Sequence, residues 1–464
     1  MTTRCVAAIG LLALVVLASG PGVPAGAEEP AGRGVIPKTL SLERAIAIAI
    51  QYNPQVEVSR QGTKAAAGQV TQAISRLLPR VDVSARRVTP VDLPPFSFQS
   101  TDSTWETEFS LSQPLYTGGA IPKGVEAAEG YRAGSEGAYR RTRQEIAFAV
   151  RQGYYGVLTA EQGVKVAHEA LSSAKEHLRV ARLRYEAGVA PQFDVLAAEA
   201  RVARVEQGAI SAVAGRDIAW AGLSTVLGVP IPEDTQLTTP RPVTIEEADP
   251  EALRLEALAN RPDLLATKSG TAAALAVLEV TRAARKPTIT AGLSYTLREQ
   301  TTIEGELFGA PGQEIVVSQN SGYLVLAANY SLFNGGQVEG EIRTAEAQHK
   351  QAEKGAESLE QRIELEVKSA YLLVEAAKAQ VEAAQKEVAQ AQEAHRIATL
   401  RYHEGVGTSV EILDAEANLE GAKTRLNEAI FGLNLAVAEL DLAVGRDWPE
   451  LMPGEGGTEA AREQ

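Results

Sequence analysis

From Val367 onward, small and large apolar residues recur at alternating steps of three and four: Val367, Ala370, Val374, Ala377, Val381, Ala384, Val388, Ala391, His395, Ala398 and Tyr402. The same rhythm runs through Val150, Gly153, Val157, Ala160, Val164, Ala167, Leu171, Ala174, Leu178, Ala181 and Tyr185. It returns through Leu419, Ala422, Leu426, Ala429, Leu433, Ala436, Leu440 and Ala443, and less regularly in the stretch around Arg216. A period of 3.5 residues kept up this long is satisfied only by helices lying side by side as in a coiled coil, and the large–small alternation lets them approach closely. Aromatic residues make up only 5% of the chain, too few for several bulky globular cores. Long, thin, alanine-rich packing is the expectation.

The chain is also written twice. Leu183-Arg184-Tyr185-Glu186-Ala187-Gly188-Val189 returns as Leu400-Arg401-Tyr402-His403-Glu404-Gly405-Val406 at an offset of 217, which also carries Gly118-Gly119 to Gly335-Gly336, Tyr154 to Tyr371 and Gly228 to Gly445. Earlier landmarks repeat at an offset of 208, Pro54 with Pro262 and Pro79 with Pro287. The nine-residue difference falls in one segment that holds Pro90, Pro94 and Pro95 in the first copy and Gly305, Gly309, Pro311 and Gly312 in the second. Variable length with Pro and Gly marks an exposed loop.

Each copy therefore reads as an early helix (54–77, 262–286), a strand, a loop, a strand, a very long helix (119–187, 336–404) and a return helix (191–227, 409–444). The domain plan is a leader at 1–27, a first repeat at 28–227, a connector at 228–250, a second repeat at 251–445 and a polar, disordered tail at 446–464. A short helix over Leu40–Gln51 is expected to end at Asn53-Pro54. A long helix of 69 residues spans roughly 100 Å. The early and return helices laid end to end nearly match it, so the strands collect at one end and the two tips at the other.

The strands alternate. Trp105, Thr107, Phe109 and Leu111 stand against Glu106, Glu108, Ser110 and Ser112, and Ile289, Ala291, Leu293, Tyr295 and Leu297 against Thr288, Thr290, Gly292, Ser294 and Thr296. Residues 324–332 and 81–89 alternate less cleanly. Such strands suit a membrane barrel wall or one face of a soluble sandwich. Four strands cannot close a barrel, and an open edge in lipid leaves backbone groups unpaired, so a membrane role requires several chains to share one barrel.

The ends set the compartment. Arg4, an apolar run from Val6 to Ser19 and Ala25-Gly26-Ala27 form a secretory signal peptide with cleavage expected after Ala27. Cys5 is the only cysteine and precedes the apolar run, so it is an incidental residue of the leader, and the mature chain has no thiol chemistry. No later stretch reads as a transmembrane helix. The net charge of −14 and the lack of a basic stripe exclude nucleic acid as a partner. Five histidines, His168, His177, His349, His395 and His403, are scattered on helices. Neither a metal site nor a cofactor is expected from them, and no phosphate loop or nucleophile constellation appears.

At this point a resemblance becomes specific. Leu115-Tyr116-Thr117-Gly118-Gly119 and Leu332-Phe333-Asn334-Gly335-Gly336 resemble the strand-to-helix junctions of TolC-like outer-membrane efflux proteins. So do Ser41-Leu42-Glu43-Arg44-Ala45, the stretch from Ala257 to Leu264, and the two Arg-Tyr-x-x-Gly-Val tips. The resemblance covers nearly the whole mature chain. It implies an α+β membrane protein: a homotrimer with a shared 12-stranded outer-membrane barrel, a coiled-coil periplasmic tunnel and no catalysis. The partners it implies are a periplasmic membrane-fusion adaptor, an inner-membrane transporter and outer-membrane lipid. The cargoes it allows are drugs, metals, secreted proteins and other compounds. Some members carry a lipidated N-terminal cysteine, which this chain lacks.

Candidate sites follow. Asp194 and Glu411 hold equivalent positions just past the tips, with Asp414 three residues on. The resemblance places carboxylate rings and the tunnel's narrowing there, while acids at a helix N-terminus are also favoured by the helix dipole alone. Arg184, Tyr185, Arg401 and Tyr402, one turn before the tips, are candidates for latching neighbouring helices shut by bonding to acidic groups, and the tyrosines equally continue the packed seam. Gly188, Val189, Gly405, Val406, Gly407 and Thr408 form the turns, where the resemblance places adaptor docking. Two other classes compete. A periplasmic adaptor would show one hairpin and no membrane strands, and an enzyme would need a polar constellation that is not found.

Overall fold

The computed structural model describes residues 36–89, 103–240, 249–303 and 314–448. The expected leader with its cleavage after Ala27, the variable loops, residues 241–248 of the connector and the tail from 449 lie outside them.

Eight helices are found among the described residues. They are α1 (Leu42–Tyr52), α2 (Pro54–Ser75), α3 (Ala120–Glu186), α4 (Gln192–Leu227), α5 (Pro250–Asn260), α6 (Pro262–Ala283), α7 (Gln337–His403) and α8 (Ser409–Val444). The strands are β1 (Thr39–Leu40), β2 (Arg80–Val88), β3 (Ser103–Tyr116), β4 (Gln236–Leu237), β5 (Thr288–Ile303) and β6 (Glu314–Asn329). Corresponding helices have equal lengths: 67 residues for α3 and α7, 36 for α4 and α8, 22 for α2 and α6, and 11 for α1 and α5.

The wall is four helices wide. The long α3 packs against α4 and α2 on one side and against α8 and α6 on the other, and α7 packs against α8 and α6. Every position of the Val367–Tyr402 seam is buried or half-buried. The early and return helices do stack end to end, and a polar clasp holds each joint. Asn53 caps α2 by accepting from the Gln55 amide (2.8 Å) and donates to the Val226 carbonyl at the end of α4 (2.8 Å). Arg261 holds the position 208 residues on. It donates to the Ala443 carbonyl (3.1 Å) and pairs with Asp263 (2.7 Å) and Glu366 (2.5 Å).

A separate cluster packs the Arg261 joint, and around the Asn53 joint lies the largest core. Leu40, Ile46, Val150, Val157, Leu223 and Leu227 are fully buried there together with Tyr154. The Tyr154 hydroxyl approaches the carbonyls of Leu40 (2.8 Å) and Thr238 (2.6 Å), tying in the small parallel β1–β4 bridge. Burial pushes its phenol pKa up, which keeps it a donor.

The larger sheet runs β2-β3-β5-β6, antiparallel throughout. One face carries Val81, Val83, Trp105, Leu293, Tyr295, Leu324 and Leu326, all exposed. The other is mostly polar, with Val88, Tyr323 and Val325 exposed on its edge strands; in its middle Glu106 pairs with Arg86 (2.5 Å) and Arg298 (3.3 Å), and Ser294 donates to Glu108 (2.8 Å). β2 and β6 are open edges.

Several boundaries differ from the sequence reading. The strands run farther than expected, 288–297 extending to Ile303 and 105–112 to Tyr116, while the strand drawn over 324–332 is Glu314–Asn329. Of the tail expected from 446, residues 446–448 are packed: Trp448 is buried under the Arg151 guanidinium (4.1 Å) and Asp447 accepts from Gln144 (3.0 Å). The connector holds β4, and α5 begins at Pro250. Helix α6 is long and apolar enough to cross a membrane by length and composition, where the sequence predicts no such helix. Its Leu264, Ala273, Ala276 and Leu278 are buried, in a helix that packs against α3 and α7.

Candidate functional site

Both long helices end in the same turn. At the first tip the Gly188 amide donates to the Tyr185 carbonyl (2.9 Å) and Val189 to Arg184 (3.0 Å). At the second, Gly405 donates to Tyr402 (3.1 Å) and Val406 to Arg401 (3.0 Å). This six-to-one and five-to-two pattern needs a left-handed residue, and Gly188 (φ 74°) and Gly405 (φ 75°) supply it. Gly407 is required for another reason: a Cβ there would lie 2.9 Å from the Tyr402 amide nitrogen. Thr408 then caps α8 by accepting from the Glu411 amide (3.3 Å).

The paired tips are not equivalent. Arg184 reaches across to the second hairpin, donating to the Tyr402 carbonyl (2.9 Å) with its guanidinium 4.4 Å above the Tyr402 ring. Tyr402 is 3% exposed, whereas Tyr185 is 46% exposed. The arginine latch thus grips a carbonyl and an aromatic face instead of an acid. Arg401 stays within its own hairpin, 3.6 Å from Glu411. Asp194 is half-buried in the first turn of α4; Asp414 is exposed on α8. Val189, Val406 and Phe193 are exposed at the outer surface of the tips.

The sequence reading missed what lies just behind. A cavity of ≈ 440 Å³ opens between the hairpins, and three of the scattered histidines line it: His177 of α3, and His395 and His403 of α7. Glu169, Glu176 and Glu416 share it. His177 is buried, its Nε2 is 3.0 Å from the Ser409 hydroxyl, and its ring centroid is 5.4 Å from that of Tyr402. Burial holds its pKa below the usual histidine range, while Glu416 and Asp194 pull it back without overcoming burial. Among the described residues no group of three or more His, Cys, Asp or Glu side chains is arranged to hold a metal.

At the opposite end the strand–helix junctions use Gly118, Gly119, Gly335 and Gly336, all at positive φ. A Cβ on Gly118 would meet Lys286 Cβ at 2.8 Å and the Ala283 carbonyl at 2.9 Å, but one on Gly335 would meet nothing within 4 Å.

A helical wall ending in two hairpin tips and continuing into a sheet with one apolar and one polar face defines the class of outer-membrane channel subunits. The chain belongs to the outer membrane efflux protein family, whose model matches residues 45–229 and 253–446. It is similar to the protein CyaE of Bordetella pertussis, 26% identical over 389 residues that cover 83% of this chain and 80% of that one. It is also similar to the outer membrane efflux protein BepC of Brucella suis, 25% identical over 361 residues covering 78% and 74%. Among solved structures, the fold is that of the outer membrane protein VceC of Vibrio cholerae (TM-score 0.70, 22% identity, covering 87% and 96%). The open-state MtrE outer membrane channel of Neisseria gonorrhoeae shares it too (TM-score 0.71, 20% identity, covering 87% and 88%). The chain is an outer-membrane exit duct of the efflux and secretion type, and the adaptor alternative falls.

Proposed function

We propose that three copies of this chain close a 12-stranded barrel and a helical tunnel. The duct so formed receives cargo through a periplasmic membrane-fusion adaptor and an inner-membrane transporter, and performs no catalysis. The observation that carries the reading is the set of unfinished edges on a single chain. Among the described residues β2 and β6 each lack a partner on one edge, and the apolar sheet face is bare. In lipid those edges must be paired, and an apolar outer face is what a barrel wall presents.

The contrast at the junctions points the same way. Gly118 sits against the end of α6, and the counterpart of that segment for Gly335 is the end of α2, near Leu78, supplied by the next copy. Tyr185 is bare for the same reason that Tyr402 is covered: its arginine belongs to a neighbouring chain. In this assembly the tips, with Gly188, Val189, Gly405, Val406, Gly407 and Thr408, dock the adaptor. Asp194, Glu411 and Asp414 from three chains line the narrow inner mouth, where carboxylate rings favour cations. The test is conductance in planar bilayers with Asp194→Asn, Glu411→Gln and Asp414→Asn combined. The proposed role requires cation preference to fall; an unchanged reversal potential places these side chains away from the pore.

A further inference from the structure

We propose that the cleft between the two hairpins is a proton-sensitive catch with His177 as its sensor. Neutral, the imidazole pins the hairpins together; charged, it is disfavoured in its buried place, and the balance moves toward separated hairpins. The inference deepens the exit-duct reading, since it rests on this end being the inner mouth, and it adds a regulation of that mouth by periplasmic pH.

The geometry makes His177 the pin. Its α3 backbone belongs to the first hairpin, and both of its contacts belong to the second: the Ser409 hydroxyl, itself buried, and the Tyr402 ring. Ala398, Tyr402, Ile412 and Ala415 form a small core beside it against Val180 of α3. Every charged group that faces the cleft can be weighed. From α3 come Glu169 and Glu176, the latter tied to Arg179 (2.6 Å), and Arg184, engaged with Tyr402. From α4 comes Asp194, from α7 His395 and His403 beside Tyr402, and from α8 Glu416, one of whose oxygens accepts from Ser173. Lys423 pairs with Glu169 (2.8 Å). Glu416 and Asp194 act on His177 from a distance, and neither forms an ion pair with it among the contacts of the ring.

The direction follows from burial. In the packed gap the charged imidazole is disfavoured, and burial outweighs the two carboxylates. With the hairpins apart the ring is in water and titrates near the ordinary value of about 6.5. The separated arrangement therefore takes up a proton at a pH where the packed one does not. The packed arrangement is favoured above the ordinary histidine range and loses ground as pH falls through it, about tenfold for each unit that separates the two pKa values. A neutral side chain of similar reach would keep the pin and remove the sensitivity.

Cys5, in the expected leader, is the one cysteine, and with Cys5→Ser spin labels can be placed at Ala187→Cys and Glu404→Cys, which flank the two tips. Labelled full-length chain is assembled with an excess of unlabelled chain, and the intrachain distance is read in detergent at about pH 7.5 and about pH 5. The expected result is a separated population that rises severalfold at the lower pH, stays flat with His177→Gln, and still rises with His403→Gln. Ser409→Ala, which removes the bond but keeps the titrating ring, is expected to enlarge the separated population at both pH values. A distance that ignores pH, a rise that survives His177→Gln, or a Ser409→Ala variant that behaves as wild type overturns the inference. The readout needs no conduction: a pH-dependent gap in a protein that forms no channel would refute the exit-duct reading and leave the catch standing.

Discussion

Helices α3 and α7 have the same length, the same seam and the same terminal turn, yet they live in different surroundings. α3 is flanked on both sides, by α4 and α2 and by α8 and α6. α7 is flanked on one side, and Leu365, Leu372 and Leu373 stand exposed on it. The difference supports the proposed assembly, in which one chain is a segment of a wall. In the proposed assembly, the side of α7 that has no partner among the described residues meets the surface that α2 and α4 present, where Val58, Ile210 and Ile218 are also bare. A soluble protein does not leave matching apolar edges open along helices of this length.

The contrast can be broken most violently at the covered side of α7. Val367→Asp places a charge where Val367 is 2% exposed and is expected to cost about 4 kcal/mol or more, unfolding the second hairpin whether or not chains assemble. Leu372→Asp, at a position 56% exposed, is expected to leave the single chain folded and to abolish assembly. Thermal melting followed by circular dichroism, with mass measurement in detergent, separates the two; equal melting losses would show that the bare side of α7 is not a surface in the single chain.

A smaller difference separates the two joints. Arg261→Ala strands the half-buried Asp263, while Glu366 keeps Arg362 (3.8 Å), and is expected to cost about 3 kcal/mol, against about 1 kcal/mol for Asn53→Ala, which removes a cap. The joints also differ in acid. Burial pushes the Asp263 carboxyl up, and the hydrogen bonds and charge of Arg261 more than offset this, so it sits below its usual range. Its stabilising effect is present above the ordinary Asp range and lost as pH falls below that range through the lowered pKa of the folded chain. Arg261→Ala should therefore flatten the acid limb of the stability profile and Asn53→Ala should not. Equal acid limbs in the two variants would contradict this account of the joint.

Smaller still is the contrast between neighbouring glycines at the second tip. Gly405→Ala pays only for its left-handed backbone, about 1 kcal/mol. Gly407→Ala forces a Cβ against the Tyr402 backbone at 2.9 Å and should disturb the tip more. Adaptor cross-linking and efflux, measured together, check both: the stronger loss belongs to Gly407→Ala, with the barrel and tunnel intact.

Much of this plan was legible in the sequence, because a 3.5-residue period and fixed offsets of 217 and 208 report directly on helix packing and on stacked joints. The tips were legible from the repeated Arg-Tyr-x-x-Gly-Val. What escaped was either too short for periodicity or present in one copy alone. The β1–β4 bridge has two residues in each strand, and α5, opening on Pro250 with charges throughout, shows no seam. Trp448 packs through a single side chain on Arg151. His177 and Ser409 have no counterparts at an offset of 217, where Ala394 and Gln192 stand, so comparing the copies could not pick them out. The inequality of Tyr185 and Tyr402 is likewise a property of packing partners, which two identical motifs cannot encode.

The central claim, that the next copy of the chain completes α7, has one direct measurement. Within a chain, Gly130 of α3 lies against Ala273 of α6, a Cβ on the glycine falling 2.9 Å from the alanine Cβ. The equivalent residues for the missing contact are Ala347 of α7 and Ala65 of α2, both exposed and on opposite edges of the single chain. A disulfide needs Cβ atoms about 3.5–4.5 Å apart. Oxidation of the variant carrying Ala65→Cys and Ala347→Cys should therefore convert it to a covalent trimer on a denaturing gel, with either single variant remaining monomeric. A double variant that stays monomeric with both thiols free, in membranes where the protein is inserted, would contradict the account.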